Sequence, residues 1–308
     1  MKVLVTGADG FVGLWMIQRL ADDGHEIVAA VRPGCVVPSG VRWVELELRN
    51  DESVRRMADV AADAVVHLAA VASGADARED PGEAWEVNAA GTARLLEALG
   101  TAREAGRGDP QVLVVSTGEV YGGGAARPRV ETDALLPCSP YAASKVGAET
   151  AALEVGRRTG LRVVIVRAFP HTGRGQDHRF VIPFFARRLQ EAKRSGDATV
   201  RVGNLEPVRD FLHVSDVVEA YTLLLTRGVP GEIYNVASGR GVSIREVFER
   251  IAALVGAAAS AETDPRLTRR SDIPYLVGNA EKLRLATGWS PRVDLDTALE
   301  EVVRAEAD

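Results

Sequence analysis

A tyrosine and a lysine four positions apart, Tyr141 and Lys145, are the residues of this chain best suited to acid–base chemistry. On a helix this spacing places both side chains on one face, one turn apart. An ammonium beside a phenol favours the phenolate, so we expect Lys145 to lower the pKa of Tyr141 toward the working pH. Tyr141 would then donate and accept a proton at neutral pH. The spacing alone decides little, because such pairs also arise on solvated helix faces.

A predicted strand ends before this helix and brings two more polar residues to the same region. The run Gln111–Ser116 is strand-like, and Thr117 and Glu119 follow at its carboxyl end. Ligands of open α/β sheets bind at that edge of the sheet. The sequence therefore predicts a site that combines Thr117, Glu119 and the helix carrying Tyr141.

The chain begins with a strand-like run, Lys2–Thr6, that leads into Gly7, Gly10 and Gly13 and then into a helix. This order is the context that a dinucleotide-binding turn requires, although the glycines could also be purely structural. Gly7 permits the tight turn, and Gly13 lets the helix pack closely on the strand. Gly10 lets the backbone approach a pyrophosphate at the helix N-terminus, where free N–H groups and the helix dipole favour an anion.

The residue that follows the second predicted strand, His25–Val31, indicates which dinucleotide binds. An acidic residue at this place would bond to a ribose 2′-hydroxyl, whereas an arginine suits a 2′-phosphate. The chain has Arg32 there. We therefore favour NADP(H) over NAD(H), with a surface arginine at the start of a loop as the alternative.

Two more predicted strands end where other parts of the cofactor would lie. The run Val41–Leu48 is expected to end at Leu48 beside the adenine. The run Ala64–Ala70 is almost wholly apolar, as expected in the middle of a parallel sheet. Its last residues would let a nicotinamide ribose approach; they are Leu68, Ala69 and Ala70.

Composition excludes several classes of function. The chain has 308 residues, of which 46% are hydrophobic and 26% charged, with a net charge of −6. A negative net charge argues against nucleic-acid binding, which needs a basic face. Cys35 and Cys138 are far apart, and the five histidines show no ligand spacing, so we expect no metal. His67, inside an apolar run, is expected to be a core histidine.

No apolar run approaches the ~20 residues of a membrane span. The strand-like run after Met1 and Lys2 is too short for the apolar core of a signal peptide. We therefore expect a cytoplasmic protein that binds neither membrane nor nucleic acid.

These features together resemble the extended short-chain dehydrogenase/reductase family, in its nucleotide-sugar-modifying branch, over essentially the whole chain. Five motifs in the family's order carry the resemblance. They are Thr6-Gly7-x-x-Gly10-Phe11-Val12-Gly13, His67-Leu68-Ala69-Ala70, Ser116-Thr117-x-x-Val120-Tyr121-Gly122, Ser139-Pro140-Tyr141-x-x-Ser144-Lys145, and Arg209-Asp210-Phe211 with Val214-x-Asp216.

Within that branch the chain is similar to the GDP-4-keto-6-deoxy-mannose reductases. The segments that carry this likeness are His171-Thr172-Gly173-x-Gly175-Gln176, Arg179-Phe180-Val181, Arg201–Leu205, Tyr234–Arg240 and Asp264–Pro274. The family usually has proline, asparagine and proline where this chain has Ala168, Pro170 and Arg174. The asparagine commonly touches the substrate diphosphate, so its replacement leaves the pose of the substrate open.

The resemblance implies a role for each residue at the reacting centre. Tyr141 would give a proton to the C4 oxygen of a 4-keto sugar nucleotide, helped by the hydroxyl of Thr117. Lys145 would keep Tyr141 poised and bind the nicotinamide ribose. The remaining cofactor contacts implied by the family motifs are Phe11, Val12 and Ser116, and the substrate contacts are Phe180, Val181, Arg209 and Arg269.

The fold implied is α/β: a Rossmann-like, doubly wound parallel sheet with a smaller, interleaved C-terminal substrate lobe. We expect the dinucleotide-binding domain at 1–168 plus about 209–237, and the lobe at 169–208 and 238–308. The predicted helices Trp85–Leu99 and Tyr141–Arg158 resemble the pair with which this family forms dimers. We therefore expect a homodimer.

Other functions remain as alternatives. In related GDP-mannose 4,6-dehydratases a glutamate at the position of Glu119 removes the C5 proton. A UDP-sugar 4-epimerase would use Tyr141 and Lys145 with tightly held NAD, but Arg32 and the Arg269 region weigh against it. A protein that binds NADP only as a regulator is a further alternative, which the presence of Thr117, Tyr141 and Lys145 disfavours.

Overall fold

The structure, a computed structural model, describes residues 1–35, 40–267 and 273–307. The strands are β1 Lys2–Thr6, β2 Glu26–Val31, β3 Arg42–Glu45, β4 Ala64–His67, β5 Gln111–Thr117, β6 Arg162–Ala168, β7 His171–Thr172, β8 Thr199–Val202, β9 Val208–Arg209, β10 Leu212–His213, β11 Ile233–Val236, β12 Val242–Ser243, β13 Ser260–Thr263 and β14 Tyr275–Leu276. The α-helices are α1 Phe11–Asp22, α2 Asp51–Ala58, α3 Asp76–Glu79, α4 Pro81–Trp85, α5 Thr92–Glu104, α6 Pro140–Thr159, α7 Val181–Ser195, α8 Val214–Arg227, α9 Ile244–Val255, α10 Glu281–Thr287 and α11 Leu295–Ala305.

A seven-stranded sheet forms the centre of the molecule, in the order β11-β6-β5-β4-β1-β2-β3. Every neighbouring pair in it is parallel. After β1 the chain adds β2 and β3 on one side of the sheet, and after β4 it adds β5, β6 and β11 on the other side. The connections that leave β1 and β4 therefore run in opposite directions. This divergence opens a crevice at the carboxyl ends of the strands, where such folds bind their ligands. The predicted Rossmann-like α/β fold is confirmed.

Apolar side chains cover both faces of this sheet. One core packs β1, β4 and β6 against α1 and α8, with Met16 and Leu224 fully buried. The other packs the opposite face against α2, α5 and α6 through residues such as Leu95 and Ile165. Strands buried on both faces explain why β4 and β6 are nearly continuous apolar runs.

The C-terminal part of the chain contributes a separate core. Helices α7, α9 and α11 pack against β8 there, and the rings of Phe185 and Phe248 meet edge to face at 5.2 Å. The buried carboxylate of Asp210 ties this region to the end of β11. It accepts hydrogen bonds from the backbone N–H groups of Ser238, Gly239 and Gly278.

Several predicted boundaries differ from the structure. The predicted strand Val41–Leu48 is shorter and ends at Glu45, and β4 ends at His67 rather than at Ala70. The predicted helix Trp85–Leu99 is part of a longer helical stretch that contains a π-helical segment, Glu86–Gly91. Ser215 and Asp216 belong to residue types that often cap helices, but neither caps α8. His213 is the cap, because its ring nitrogen Nδ1 accepts from the backbone N–H of Ser215.

Candidate active site

The end of β5 and the start of α6 bring the predicted acid–base residues together. Thr117 is the last residue of β5, and its Oγ1 accepts a hydrogen bond from the N–H of Glu119 at 3.2 Å. Ser139 caps α6 by accepting from the N–H of Ala142 at 3.1 Å, and Pro140 takes the first helical position. This start places Tyr141 in the first turn of the helix, beside the sheet edge.

Tyr141 interacts with both polar residues that follow β5. Its phenol hydrogen-bonds with the hydroxyl of Thr117, and the charge of Glu119 is close enough to act on it. Burial of the phenol raises the pKa of Tyr141, the charge of Glu119 raises it further, and the Thr117 hydrogen bond opposes both. Tyr141 is therefore a protonated phenol at neutral pH, the form that donates a proton.

The expected net lowering of the Tyr141 pKa is wrong, because burial and the charge of Glu119 raise it. The Lys145 ammonium donates to the backbone oxygen of Val115 at 2.8 Å. The four-residue spacing on a helix places Tyr141 and Lys145 on one face. It does not indicate which atom the Lys145 ammonium bonds to. Desolvation then acts on each group separately and favours the neutral form of both.

Lys145 itself is 6% exposed, and burial lowers its pKa from 10.5 to about 8, with the charge of Glu149 opposing the shift. Glu149 is a buried carboxylate one turn further along α6. It accepts from the hydroxyl of Ser116 at 2.5 Å and from the guanidinium of Arg167 at 2.8 Å. The sequence-based prediction did not include Glu149. Its position four residues after Lys145 could have indicated that the two side chains share one face of the helix.

Asn88 is a second residue that the sequence analysis left without a role. It lies in the π-helical segment and is 1% exposed. Its side chain bonds to the backbone of Val71 in both directions and donates to the hydroxyl of Ser144 at 2.9 Å. Asn88 therefore links the segment after β4 to α6. π-Helical segments of this kind are frequent at functional sites.

The glycine-rich turn has the close contacts expected of a dinucleotide cradle. Gly7 has a φ of +66°, and a Cβ there would lie 2.8 Å from the backbone nitrogen of Ala69. A Cβ on Gly13 would lie 2.2 Å from the carbonyl oxygen of Gly7. The turn therefore packs against the end of β4 and the start of α1, whose N-cap, Gly10, has no side chain to fill the space. These residues fit the pyrophosphate of a dinucleotide.

The other predicted cofactor residues surround this turn in different ways. The ring of Phe11 stacks on that of His171 with centroids 6.3 Å apart, and Val12 packs partly buried against the sheet. Leu68 donates its N–H to Thr6, and Ala70 is partly buried beside it. Leu48 is buried against Gly91.

Two predicted cofactor residues have polar partners within the protein. The Ser116 hydroxyl is engaged with Glu149, so this side chain faces the buried carboxylate. Arg32 extends from the end of β2 with its side chain 76% exposed and lies 3.8 Å from the carboxylate of Asp9.

His67 is a buried neutral histidine, as expected. Its two ring nitrogens contact the hydroxyls of Thr6 and Thr92 at 2.8 and 2.9 Å. Burial lowers its pKa to about 3, and the nearby charge of Lys145 acts in the same direction. The residue therefore joins β4 to β1 and to α5.

The predicted substrate residues lie on the C-terminal part of the chain. Phe180 is the N-cap of α7 and Val181 its first residue. Arg179, just before them, forms an ion pair with Asp76, which follows β4. Arg209 donates to the backbone oxygen of Ile273 at 2.6 Å. Arg269 lies outside the described residues.

Two further features concern the described ranges, 1–35, 40–267 and 273–307. Among those ranges no group of three His, Cys, Asp or Glu side chains is placed to bind a metal ion. In the same part of the chain no helix has both the length and the apolar character needed to cross a bilayer.

Comparison with known proteins places these features in a family. Residues 3–237 match the model of the family described as NAD dependent epimerase/dehydratase. The chain belongs to the NAD-dependent epimerase/dehydratase family. This membership confirms the predicted extended short-chain dehydrogenase/reductase enzyme and its dependence on a nicotinamide dinucleotide.

Individual members of the epimerase/dehydratase family match over almost their full length. The chain is 34% identical to a GDP-6-deoxy-D-mannose reductase of Pseudomonas aeruginosa over 305 residues, covering 98% of this chain and 96% of that protein. The structure of RMD from Pseudomonas aeruginosa complexed with NADPH has a TM-score of 0.83 at 32% identity, covering 99% of this chain and 98% of that one.

A UDP-glucose 4-epimerase is similar to a comparable degree. The Thermus thermophilus enzyme, in complex with NAD, has a TM-score of 0.88 at 32% identity and covers 100% of this chain and 99% of its own. These likenesses confirm the predicted resemblance to the nucleotide-sugar branch of the family. They also show that members similar to this chain differ in substrate and in dinucleotide.

Proposed function

We propose that this protein reduces the C4 keto group of a GDP-4-keto-6-deoxy-hexose to a GDP-deoxysugar, using NADP(H). The observation that carries the proposal is the protonated Tyr141 held by the Thr117 hydroxyl at the sheet edge. A ketone reduction needs a proton donor at the carbonyl oxygen, and a phenol with a raised pKa is in the donating form. The likeness to a GDP-6-deoxy-D-mannose reductase supports the choice of substrate.

The acid–base step uses three side chains. As negative charge grows on the C4 oxygen, Tyr141 gives it a proton, and the Thr117 hydroxyl stabilises the phenolate that remains. Lys145 adds its positive charge from one turn along α6. Glu149 supports that charge, because it opposes the effect of burial on the pKa of Lys145.

Binding and orientation of the cofactor fall to the glycine turn and its neighbours. Bound NADPH would supply the hydride that adds to C4. Gly7, Gly10 and Gly13 would hold the pyrophosphate, and Arg32 would meet the 2′-phosphate. The NADPH complex of RMD supports this preference, while the NAD complex of the similar epimerase keeps NAD(H) as the alternative.

The substrate would lie between this edge and the C-terminal part of the chain. Arg209 and Arg269 would neutralise the diphosphate, for which a forked guanidinium is well shaped. Phe180 and Val181 would contact the sugar nucleotide at the start of α7. The lobe made of 169–208 and 238–308 would then act as the substrate domain beside the dinucleotide domain.

A dehydratase activity is the second candidate, and Glu119 is the observation that favours it. Its carboxylate is close enough to Tyr141 to raise the pKa of that phenol. A carboxylate in this place is suited to remove a proton from the sugar. A UDP-sugar epimerase would use the same Tyr141 and Lys145.

Parallel incubations distinguish these reactions. One tube contains the protein, NADPH and GDP-4-keto-6-deoxy-mannose; the other contains GDP-mannose with catalytic NADP. We expect loss of NADPH absorbance and a two-hydrogen gain in product mass in the first tube. Loss of water from GDP-mannose in the second would instead assign the dehydratase reaction to Glu119. Conversion of neither substrate, with turnover of a UDP-sugar, would overturn the proposal.

We also propose that the protein is a cytoplasmic homodimer. The two cysteines, Cys35 and Cys138, are both free thiols, which suits a reducing compartment. An apolar groove on α4 and α6 supports self-association; its residues include Trp85, Val146, Gly147 and Thr150. Trp85 is 46% exposed there, an unusual state for so large an apolar side chain.

A further inference from the structure

A small charged cluster lies where β1 and β2 end. Asp9 stands in the glycine-rich turn between Gly7 and Gly10, and its carboxylate is 3.8 Å from the guanidinium of Arg32. The Asp9 side chain is 15% exposed, whereas that of Arg32 is 76% exposed. The thiol of Cys35 hydrogen-bonds to the same carboxylate. The carboxylate is therefore mostly buried beside Cys35, whereas the guanidinium that faces it is largely in solvent.

This cluster lies at the predicted binding site of the adenosine ribose. β1 and β2 are neighbours in the sheet, with Thr6 paired with Ala30, so the residues after each strand lie side by side. In this fold the group that follows β2 meets the adenosine ribose of the dinucleotide. Asp9 and Arg32 therefore present opposite charges to the same 2′ position.

Other charges near Arg32 are already balanced. The pKa of Glu47 is lowered first by its hydrogen bond to Arg49 and, more weakly, by the charge of Arg32. Arg49 lies 3.0 Å from Glu47. Asp9 is the carboxylate in direct ion-pair contact with Arg32 in the described part of the chain.

We propose that Asp9 limits the preference for NADP(H), because its carboxylate competes with a 2′-phosphate for Arg32 and accepts a hydrogen bond from a 2′-hydroxyl. A phosphate that approaches the guanidinium competes with Asp9 for it and meets the negative charge of Asp9 at close range. A ribose hydroxyl meets no such repulsion. Arg32 favours one cofactor and Asp9 the other, and the protein binds NADH as well as NADPH. This inference rests on the proposed dinucleotide site but not on the identity of the sugar.

The test is a fluorescence titration of the intact protein with NADPH and with NADH, without any sugar nucleotide. The variants are Asp9→Asn, which keeps the shape and the hydrogen-bonding capacity of the side chain, Arg32→Ala, and the double variant. Asp22→Asn is the matched control, since it removes one exposed negative charge from the far end of α1. Circular dichroism verifies that each variant is folded.

We expect Asp9→Asn to raise the preference for NADPH, measured as the ratio of the two Kd values, by about tenfold, or ~1.4 kcal/mol. Asp22→Asn should leave the ratio unchanged. In the Arg32→Ala background the same Asp9 substitution should have a smaller effect on NADPH, because no guanidinium is left to release.

An unchanged ratio in Asp9→Asn, or a change equal to that of Asp22→Asn, would overturn the proposal. Binding of neither dinucleotide by the wild-type protein would overturn it as well. A protein that fails to reduce GDP-4-keto-6-deoxy-mannose yet shows the expected Kd ratios would refute the proposed sugar chemistry while leaving this inference intact.

Discussion

At the scale of single residues, the hydrogen bonds of Tyr141 and Lys145 explain how one helix turn can hold a proton donor and a cation. The phenol bonds with Thr117, and the ammonium with the backbone oxygen of Val115. Desolvation favours the neutral form of both. The result is a protonated tyrosine beside a lysine whose charge depends on pH near neutrality.

Replacing Tyr141 tests the proton donor. Tyr141→Phe should lower kcat by about 100- to 10,000-fold, the range for loss of a general acid. The Kd of NADPH should stay unchanged, because in the proposed reaction the phenol acts on the C4 oxygen of the substrate. Steady-state kinetics and a binding titration measure the two effects. Tyr234→Phe is the control, since the hydroxyl of Tyr234 contacts the backbone of Val229 and not the site. A Tyr141→Phe protein with wild-type kcat would contradict the assignment.

The pKa of Lys145, about 8, predicts the pH dependence of the proposed reduction. Below that pH the ammonium is charged, and above it the charge is lost, so kcat/KM should fall as pH rises through about 8. The negative charge of Glu149 raises the pKa of Lys145. Glu149→Gln should therefore move the fall to lower pH.

Steady-state kinetics in weakly acidic to alkaline buffers give kcat/KM at each pH and so measure this profile. Glu191→Gln is the matched control, because Glu191 is also a helical carboxylate but pairs with Arg187 on the surface of α7. A Glu149→Gln profile that coincides with that of Glu191→Gln would show that Glu149 does not support the charge of Lys145.

At the scale of secondary-structure elements, the contact of α1 with the turn after β1 depends on the lack of a side chain at Gly13. A Cβ on Gly13 would lie 2.2 Å from the carbonyl oxygen of Gly7, where no side-chain movement can relieve it. Gly13→Ala should therefore push α1 from the turn, lower the unfolding free energy by about 1–3 kcal/mol and weaken NADPH binding. Gly123→Ala is the control, since a Cβ at Gly123 meets nothing within 4 Å. Urea unfolding and an NADPH titration measure both effects. Equal stability and affinity for the two variants would contradict the packing argument.

Some helix boundaries can be predicted from the sequence and others cannot. The ends of α9 can be read from the sequence, because Ser243 followed by Glu246 is a recognisable cap and Gly256 ends the helix in a left-handed conformation. The cap of α8 cannot, since His213 is not a common capping residue and only its ring orientation makes it one. Apolar periodicity predicted a helix around Asn88 but could not reveal the π-helical segment.

At the scale of the whole molecule, the groove on α4 and α6 supports a dimer. A charge placed in it should separate the subunits, because an unpaired carboxylate is costly to bury. Thr150→Glu should give a monomer, while Thr226→Glu, a helical threonine on α8 at the other face of the sheet, should remain a dimer. Both threonines donate to a backbone oxygen of their own helix, so each substitution removes one such bond. Size-exclusion chromatography with light scattering gives the masses. A monomeric wild-type protein would contradict this assembly.

The fold class and the family could be predicted because they depend on motifs close in sequence, such as the turn around Gly10. The partners of Glu149 could not, because Ser116 and Arg167 reach it from β5 and β6, and only the folded sheet brings them together. The contact of Asp9 with Arg32 could not be predicted either, because Asp9 follows β1 and Arg32 follows β2.

The most direct test of the proposed reduction follows a label from the cofactor to the sugar. NADPH carrying deuterium at both C4 positions is incubated with the protein and GDP-4-keto-6-deoxy-mannose, and the product is examined by mass spectrometry and NMR. We expect one deuterium, bonded to C4 of the sugar, for each NADPH oxidised. A product without deuterium at C4, or NADPH left unoxidised while the sugar is converted, would contradict the assignment of this protein as a C4 reductase.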